Sequence, residues 1–331
     1  MNILNVAYVR YEPDKADDHL LPEIEDMKTL RTVTLHDLQS MAIPERDMLL
    51  SPIIPAKGLV MAFAQRGIGK TFLGLNIAYA VASGGKFLRW HAPQAKPVLY
   101  IDGEMPARAL QERVNMLTQN CDKYLPTSEH FKFLALDMQA LGVGLNLSRL
   151  EDQKAVEAHM GNAEFLVFDN LSTLVSGGRE NDAESWDSMQ AWLLQLRRMG
   201  KTVLLIHHAG RGENARGTSK REDVLDTVIS LKRPENYQPA EGARFEVHLT
   251  KARGVFGDGA LPFEAKLESQ DGVPVWVTSE IIDPQMLQVM ELTDANLSLR
   301  DIATELGMSK SQVQRFQAKG NVRREAAANP Q

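Results

Sequence analysis

The sequence predicts an α/β fold in which helices flank a mainly parallel, twisted β-sheet. From residue 58 onward, short apolar runs typical of buried strands alternate with longer amphipathic segments, and this alternation is typical of a sheet wrapped by helices. The chain has 331 residues, of which 44% are hydrophobic and 24% charged, so it is long and apolar enough to bury a sizeable core. At roughly 150 residues per domain, this length predicts about two domains.

Six apolar runs are predicted to be strands, and four amphipathic segments are predicted to be helices. The strands are residues 59–64, 98–101, 165–168, 202–206, 228–231 and 245–249. The helices are residues 72–83, 107–117, 150–160 and 183–199. The last strands are separated by short connections, which favours antiparallel pairing at that end of the sheet.

Composition excludes several classes of protein. One cysteine, Cys121, cannot form an intramolecular disulfide framework or a cysteine-based zinc cluster, and it fits a reducing compartment. No apolar run approaches the ~18 residues of a membrane span, and the first residues lack the pattern of a secretory signal. We therefore expect a cytoplasmic protein. The net charge of −6 argues against a surface built throughout for nucleic acid, although a local basic site remains compatible with it.

The strongest motif is a phosphate-binding loop, Ala-Gln-Arg-Gly-Ile-Gly-Lys-Thr, at residues 64–71. It lies between a predicted strand and a predicted helix, where backbone amides and a helix N-terminus can face an anion. Lys70 would contact the terminal phosphates and Thr71 would bind Mg²⁺. The strict pattern has glycine where this chain has Ala64, and the alternative is a chance Gly-Lys-Thr turn. The predicted nucleotide-binding residues are Ala64, Gln65, Arg66, Gly67, Ile68, Gly69, Lys70, Thr71 and Phe72.

Two acids follow predicted strands at the edge where this loop lies. Asp169 ends the run at 165–168 and is the candidate metal-binding carboxylate, whereas the alternative is an acid that only caps a turn. The next residue is Asn170 rather than a glutamate, so the group that activates water must come from elsewhere. Glu104 follows the strand at 98–101 and is predicted to polarise the attacking water. Its alternative role is that of a solvated turn residue.

A third strand end carries His207 and His208. We predict that His207 contacts the γ-phosphate and transmits the state of the nucleotide to the loop that follows. A purely structural histidine is the alternative.

Together these motifs resemble the RecA-like ATPases. The similarity covers residues 34–280 and is greatest to the plasmid replicative helicases of the RepA type, which are relatives of the DnaB-like hexameric helicases. The stretches 169–174, 180–183 and 207–210 support it. The resemblance implies an ATP hydrolase that uses ATP and Mg²⁺, assembles as a homo-oligomeric ring, typically a hexamer, and acts as a DNA-stimulated helicase or translocase on single-stranded DNA in plasmid or phage replication.

In that family, a Lys-x-Arg pair on a late strand reaches the ATP of a neighbouring subunit. The matching residues here are Lys251 and Arg253. The resemblance therefore implies that they act in trans on transition-state charge. The alternative is an exposed pair on an edge strand.

The segment 208–221 is rich in glycine and basic residues and is long for a connection. By resemblance it is the loop that contacts DNA in the ring channel, where its cations would neutralise phosphates. A solvated loop is the alternative. The predicted DNA-binding residues are Arg211, Arg216, Lys220 and Arg221.

Residues 298–316 have the spacing of a helix-turn-helix. From residue 300 onward the chain carries six basic and three acidic residues, so this end is locally positive. The outward side chains Lys310, Gln312 and Arg315 are predicted to contact duplex DNA. The alternative is a pair of helices that packs against the ring or a partner.

The predicted organisation is an N-terminal arm (1–33), a RecA-like core (34–283), a helix-turn-helix (284–322) and a tail (323–331). Two other functions stay open. One is a non-helicase ATP switch with a duplex-binding module, acting as a regulator or partition factor. The other is a RecA-like subunit of a larger complex.

Overall fold

The computed structural model describes residues 32–119, 126, 129–175, 183–208, 222–281 and 283–328. The chain divides into two units, Met1–Glu45 and Arg46–Gln331. In the described part of the first unit, helix α1 (Leu35–Ser40) begins after Thr34, whose hydroxyl accepts the N–H of Asp37. The predicted N-terminal arm lies almost wholly outside the described residues.

The second unit contains the sheet and its helices. Its strands are β1 (Met48–Leu50), β2 (Ile54–Pro55), β3 (Leu59–Ala64), β4 (Lys86–Phe87), β5 (Trp90–His91), β6 (Val98–Asp102), β7 (Phe131–Ala135), β8 (Phe165–Asp169), β9 (Thr202–His208), β10 (Thr227–Lys232), β11 (Arg244–Ala252), β12 (Phe263–Gln270) and β13 (Val273–Glu280). Its helices are α2 (Lys70–Ser83), α3 (Ala107–Thr118), α4 (Leu150–Met160), α5 (Leu171–Leu174), α6 (Ala183–Arg198), α7 (Pro284–Asp294), α8 (Leu299–Glu305) and α9 (Lys310–Ala328).

Among the described residues, nine strands form one sheet in the order β13-β12-β11-β10-β3-β9-β8-β6-β7. The strands from β10 to β7 run parallel, and β11, β12 and β13 extend the sheet antiparallel. Strand β3 therefore lies between two parallel neighbours, and the loop that follows it emerges at the edge where those strands end.

The two faces of the sheet bury separate apolar cores. Helices α2 and α3 pack on one face with Tyr100, Phe165 and Val167. Helices α4, α5 and α6 pack on the other with Phe63, Phe168 and the helix residue Trp192. Because successive residues of a strand point to opposite faces, a strand buried on both sides has a nearly continuous apolar sequence. Strand β3 is buried along its whole length.

The predicted fold class is confirmed: helices flank a mainly parallel sheet. Each of the six predicted strands and four predicted helices is present, with ends that shift by a few residues. Three strands of the main sheet went unpredicted, namely β7, β12 and β13. Strand β7 is only partly buried, and β12 and β13 mix polar and apolar residues, so none of them has the continuous apolar run that marks the central strands.

The C-terminal helices α7, α8 and α9 share an apolar cluster of their own, which includes Val289, Ile302 and Phe316. Ser298 caps α8 by accepting the N–H of Asp301, and Gly307 adopts a positive φ of 62° in the turn before α9. Helix α9 continues through Ala328, beyond the boundary at residue 322 that the sequence predicted. No helix among the described residues is long and apolar enough to cross a membrane.

Candidate functional site

The loop between β3 and α2 depends on two glycines. Gly67 and Gly69 have φ angles of +77° and +121°, a region that L-residues rarely adopt. A Cβ on Gly69 would also lie 3.3 Å from Cε1 of Phe245. Across the loop, the Arg233 guanidinium donates to the carbonyl of Gly67 at 2.9 Å. The backbone can therefore curl over the N-terminus of α2 only with glycine at these two positions.

Lys70 is the first residue of α2, and it is only 6% exposed. Its ammonium donates to the carbonyls of Ala64 and Gln65 at 3.0 and 2.9 Å. Burial lowers the pKa of Lys70 to about 8, although the nearby carboxylates of Asp169 and Glu104 oppose this shift. The cation is thus held against the loop, beside two carboxylates.

A cavity of about 490 Å³ opens over this helix terminus. Seven consecutive residues of the predicted nucleotide site, from Arg66 to Phe72, line it together with Glu104 and Asp169. The remaining predicted residues, Ala64 and Gln65, contribute their carbonyls to Lys70. The structure therefore brings together groups that the sequence placed on three separate strand ends.

Asp169 ends β8 and is 3% exposed. Its Oδ2 accepts a hydrogen bond from the hydroxyl of Tyr100 at 2.7 Å, and its carboxylate is also hydrogen-bonded to the side chain of Thr71. Burial raises the pKa of Asp169 above its ordinary value. A hydroxyl and a carboxylate in contact form the oxygen-donor pair that suits Mg²⁺. The described residues contain no group of three or more His, Cys, Asp or Glu side chains able to hold a metal.

Glu104 lies on the turn after β6, and its side chain is 56% exposed. Its carboxylate accepts a hydrogen bond from the side-chain amide of Asn170. The Nε2 atom of His208 is 3.8 Å from the same carboxylate oxygen. Glu104 therefore lines the cavity with two polar side chains near one oxygen of its carboxylate.

Sequence reasoning missed several residues of the site. The additional lining residues are Met105, Pro106, Arg113, Asn170, His208, Gly242 and Ala243. The strand-end pattern that selected Glu104 and Asp169 could also have selected Asn170 and His208. No local signal pointed to Arg113, because it reaches the cavity from the middle of α3, where its guanidinium lies 4.9 Å from the centre of the Phe72 ring.

The structure places His208, not His207, at the cavity. In the β3–β9 register His207 is opposite Phe63, which belongs to the core beneath α4–α6, whereas His208 is opposite Ala64 on the face of α2. His207 is 2% exposed. His207, the residue predicted to contact the γ-phosphate, therefore does not line the cavity, whereas its neighbour His208 does, because a one-residue shift along a strand reverses the face.

Lys251 and Arg253 lie at the opposite edge of the sheet from the phosphate-binding loop. Lys251 lies near the end of β11 and Arg253 just beyond it. This end of β11 pairs with the start of β10, which in turn pairs with the first half of β3. Lys251 donates to the carbonyls of Glu222 and Asp223, and Arg253 donates to the carbonyl of Asp223 at 3.0 Å. Neither cation can serve the cavity of its own chain.

The four predicted DNA-binding residues of the loop, Arg211, Arg216, Lys220 and Arg221, lie outside the described residues. In the C-terminal helices, Lys310 and Arg315 are exposed, as predicted. Gln312 is exposed too, and its side-chain oxygen accepts from the backbone N–H of Ser309 at 3.0 Å, so it helps to cap α9.

Comparison with known families matches residues 24–214 to the model of the AAA domain family AAA_25. The chain belongs to this family. Two solved structures are similar in part. A KaiC-like protein from Pyrococcus horikoshii OT3 shares 15% identity at a TM-score of 0.49, over 70% of this chain and 99% of that one. The flagellar accessory protein FlaH from Methanocaldococcus jannaschii shares 13% at 0.48, over 68% and 92%. No curated protein matches significantly.

Proposed function

We propose that this AAA-family protein hydrolyses ATP with Mg²⁺ and uses the energy to unwind or move along DNA in plasmid or phage replication. The observation that carries the ATPase part is the single cavity that joins Lys70, Thr71, Glu104 and Asp169. Lys70 would contact the terminal phosphates, and Thr71 and Asp169 would hold Mg²⁺, which supplies charge neutralisation on the phosphates. Glu104 would accept a proton from the attacking water.

A ring assembly is the second part of the proposal. Lys251 and Arg253 are cations on a strand end that faces away from their own cavity. A head-to-tail arrangement would place them at the cavity of the next chain, where they would stabilise transition-state charge. The resemblance to hexameric helicases supports six subunits and single-stranded DNA as the partner.

The test combines the rate of ATP turnover with the mass of the assembly. We expect the ATP turnover of the purified chain to rise when single-stranded DNA is added, and we expect native mass measurement to find about six chains per assembly. Turnover that ignores single-stranded DNA, together with the mass of one chain, would contradict the helicase proposal. Glu104→Gln is the matched variant, because it preserves the shape of the side chain but removes the base.

A non-helicase switch is the second candidate, and the C-terminal helices favour it. They bury an apolar cluster of their own and expose Lys310 and Arg315. Such a module could bind a specific duplex while nucleotide controls assembly. Displacement of a strand from forked DNA distinguishes the helicase, whereas footprinting on defined duplexes without displacement supports the switch.

A further inference from the structure

Asp102 is a buried acid for which the proposed reaction has no role so far. It ends β6 and is 1% exposed. Its Oδ1 accepts two backbone hydrogen bonds, from the N–H of Glu104 at 3.1 Å and from that of Met105 at 2.7 Å. One carboxylate oxygen thus holds the backbone at Glu104 and at the residue that follows it.

Gly103 presses the same turn against α5. Its N–H donates to the carbonyl of Asp169 at 2.8 Å. A Cβ at this position would lie 2.7 Å from both Oγ1 of Thr173 and Cδ2 of Leu174. The position of the Glu104 backbone is therefore defined relative to Asp169 on the neighbouring strand.

Asn170 contacts the side-chain carboxylate of Glu104. It is 2% exposed, and its Oδ1 caps α5 by accepting the N–H of Ser172 at 2.9 Å. Because this contact fixes the orientation of the amide, its Nδ2 is left to donate to the Glu104 carboxylate. The Glu104 side chain is more than half exposed, so these polar contacts order it more than packing does.

We propose that Asp102 and Asn170 are positioning residues that aim Glu104 at the attacking water, Asp102 through the backbone and Asn170 through the carboxylate. The inference rests on the proposed function, since it takes Glu104 as the group that orients water. A general base works only within hydrogen-bond reach of its proton, and a displacement of about 1 Å can cost about a hundredfold in rate.

The first test compares Asp102→Ala with Asp102→Asn. Alanine removes the acceptor, so we expect kcat for ATP to fall at least about tenfold while KM stays within about twofold of wild type. Asparagine preserves an acceptor oxygen and should restore most of kcat. An unchanged kcat in the alanine variant, or equal losses in both variants, would overturn the role of Asp102.

Asn170→Ser provides a second test that does not depend on the folding of the Asp102 variants. Serine retains the helix cap but cannot reach Glu104 with a donor, so kcat should fall while KM is preserved. Asp152→Ala is the control: its carboxylate accepts the N–H of Asn146 at 2.9 Å in a turn whose residues do not line the cavity. It should lower the unfolding midpoint and leave kcat unchanged.

Glu104→Gln separates failure of this inference from failure of the proposed function. If this variant hydrolyses ATP at the wild-type rate, the proposed reaction itself is wrong. If it is inactive while Asp102→Ala and Asn170→Ser retain the wild-type kcat, only the positioning roles are wrong.

Discussion

Burial shifts the pKa values of three side chains at the sheet edge. It lowers the pKa of Lys70 to about 8, raises that of Asp102 to about 6, and raises that of Asp169. Low dielectric surroundings disfavour the charged form of every group, so a buried ammonium loses protons more easily and a buried carboxyl retains them. A bound triphosphate would stabilise the Lys70 cation, and a bound Mg²⁺ would stabilise the Asp169 anion.

Replacement of Lys70 by alanine tests the binding role at this scale. The variant loses a charge-assisted contact with the phosphates, which is typically worth about 1.5–3 kcal/mol, so ATP should bind at least about tenfold more weakly. Titration with a fluorescent ATP analogue measures this loss. Lys201→Ala is the control, because Lys201 also donates to a backbone carbonyl, that of Ala163, but lies before β9 at the other edge. Equal affinities for wild type and Lys70→Ala would remove the phosphate-binding role.

At the scale of elements, α5 follows the end of β8 and packs against the turn after β6. It begins directly after Asn170, and it packs so closely on the turn after β6 that only glycine fits at position 103. A helix of one turn has little stability of its own, so its position depends on these contacts. The turn and the helix together carry Glu104 and Asn170.

Gly103→Ala should disrupt this packing. The added methyl group would overlap Thr173 and Leu174, and overpacking of this kind typically costs about 1–3 kcal/mol in the free energy of unfolding. Urea unfolding measures the difference. Gly144→Ala is matched, since a Cβ there meets nothing within 4 Å. Similar stabilities for the two variants would contradict the close packing of α5.

The basic loop between β9 and β10 is the element proposed to contact DNA. Replacement of Arg211, Arg216, Lys220 and Arg221 by alanine should weaken DNA binding and reduce the salt slope by up to about 3, at about 0.7 per contact with a single strand. Binding measured at several salt concentrations gives this slope. An unchanged slope would indicate that another surface, such as the C-terminal helices, binds DNA. The comparison is a double variant of those helices, Lys310→Ala with Arg315→Ala.

For the whole molecule, the sheet separates the two halves of the proposed catalytic machinery. The phosphate-binding loop follows the end of β3, whereas Lys251 and Arg253 lie near its beginning. Lys251 is level with Met61, three residues before the end of β3, and Arg253 lies just beyond the end of β11. At about 3.3 Å per residue, the two cations are therefore about 10 Å or more from the loop along the strand direction. In the proposed ring, a second chain would bring them together.

A mixing experiment tests this at the scale of the assembly. Arg253→Ala and Glu104→Gln chains should each be inactive, and a 1:1 mixture should recover activity, because about a quarter of head-to-tail interfaces then pair an intact cavity with an intact arginine. Turnover is measured across mixing ratios. A chain with both changes, mixed with either single variant, should recover nothing. Failure to recover at every ratio would argue against the role in trans.

Elements and site residues could be predicted from the sequence where a contiguous run of residues marks them. Central strands such as β3 and β8 are buried on both faces, so their apolar runs predicted them well. Strands β12 and β13 mix polar and apolar residues, and no such run marks them. The phosphate-binding loop was predictable because its glycines, lysine and threonine are contiguous, whereas Arg113 reaches the cavity from another helix.

The sequence alone determined which polar groups follow the parallel strands. Because parallel strands end at the same edge of a sheet, these groups meet there. Tertiary structure decided what those groups do to one another. It turned His208 rather than His207 toward the cavity and brought Asn170 to Glu104. It also buried Asp102 beneath the turn that carries Glu104. The face to which a side chain points, and the residues that it contacts, depend on the register and packing of segments far apart in the chain. No local sequence pattern encodes that register or packing.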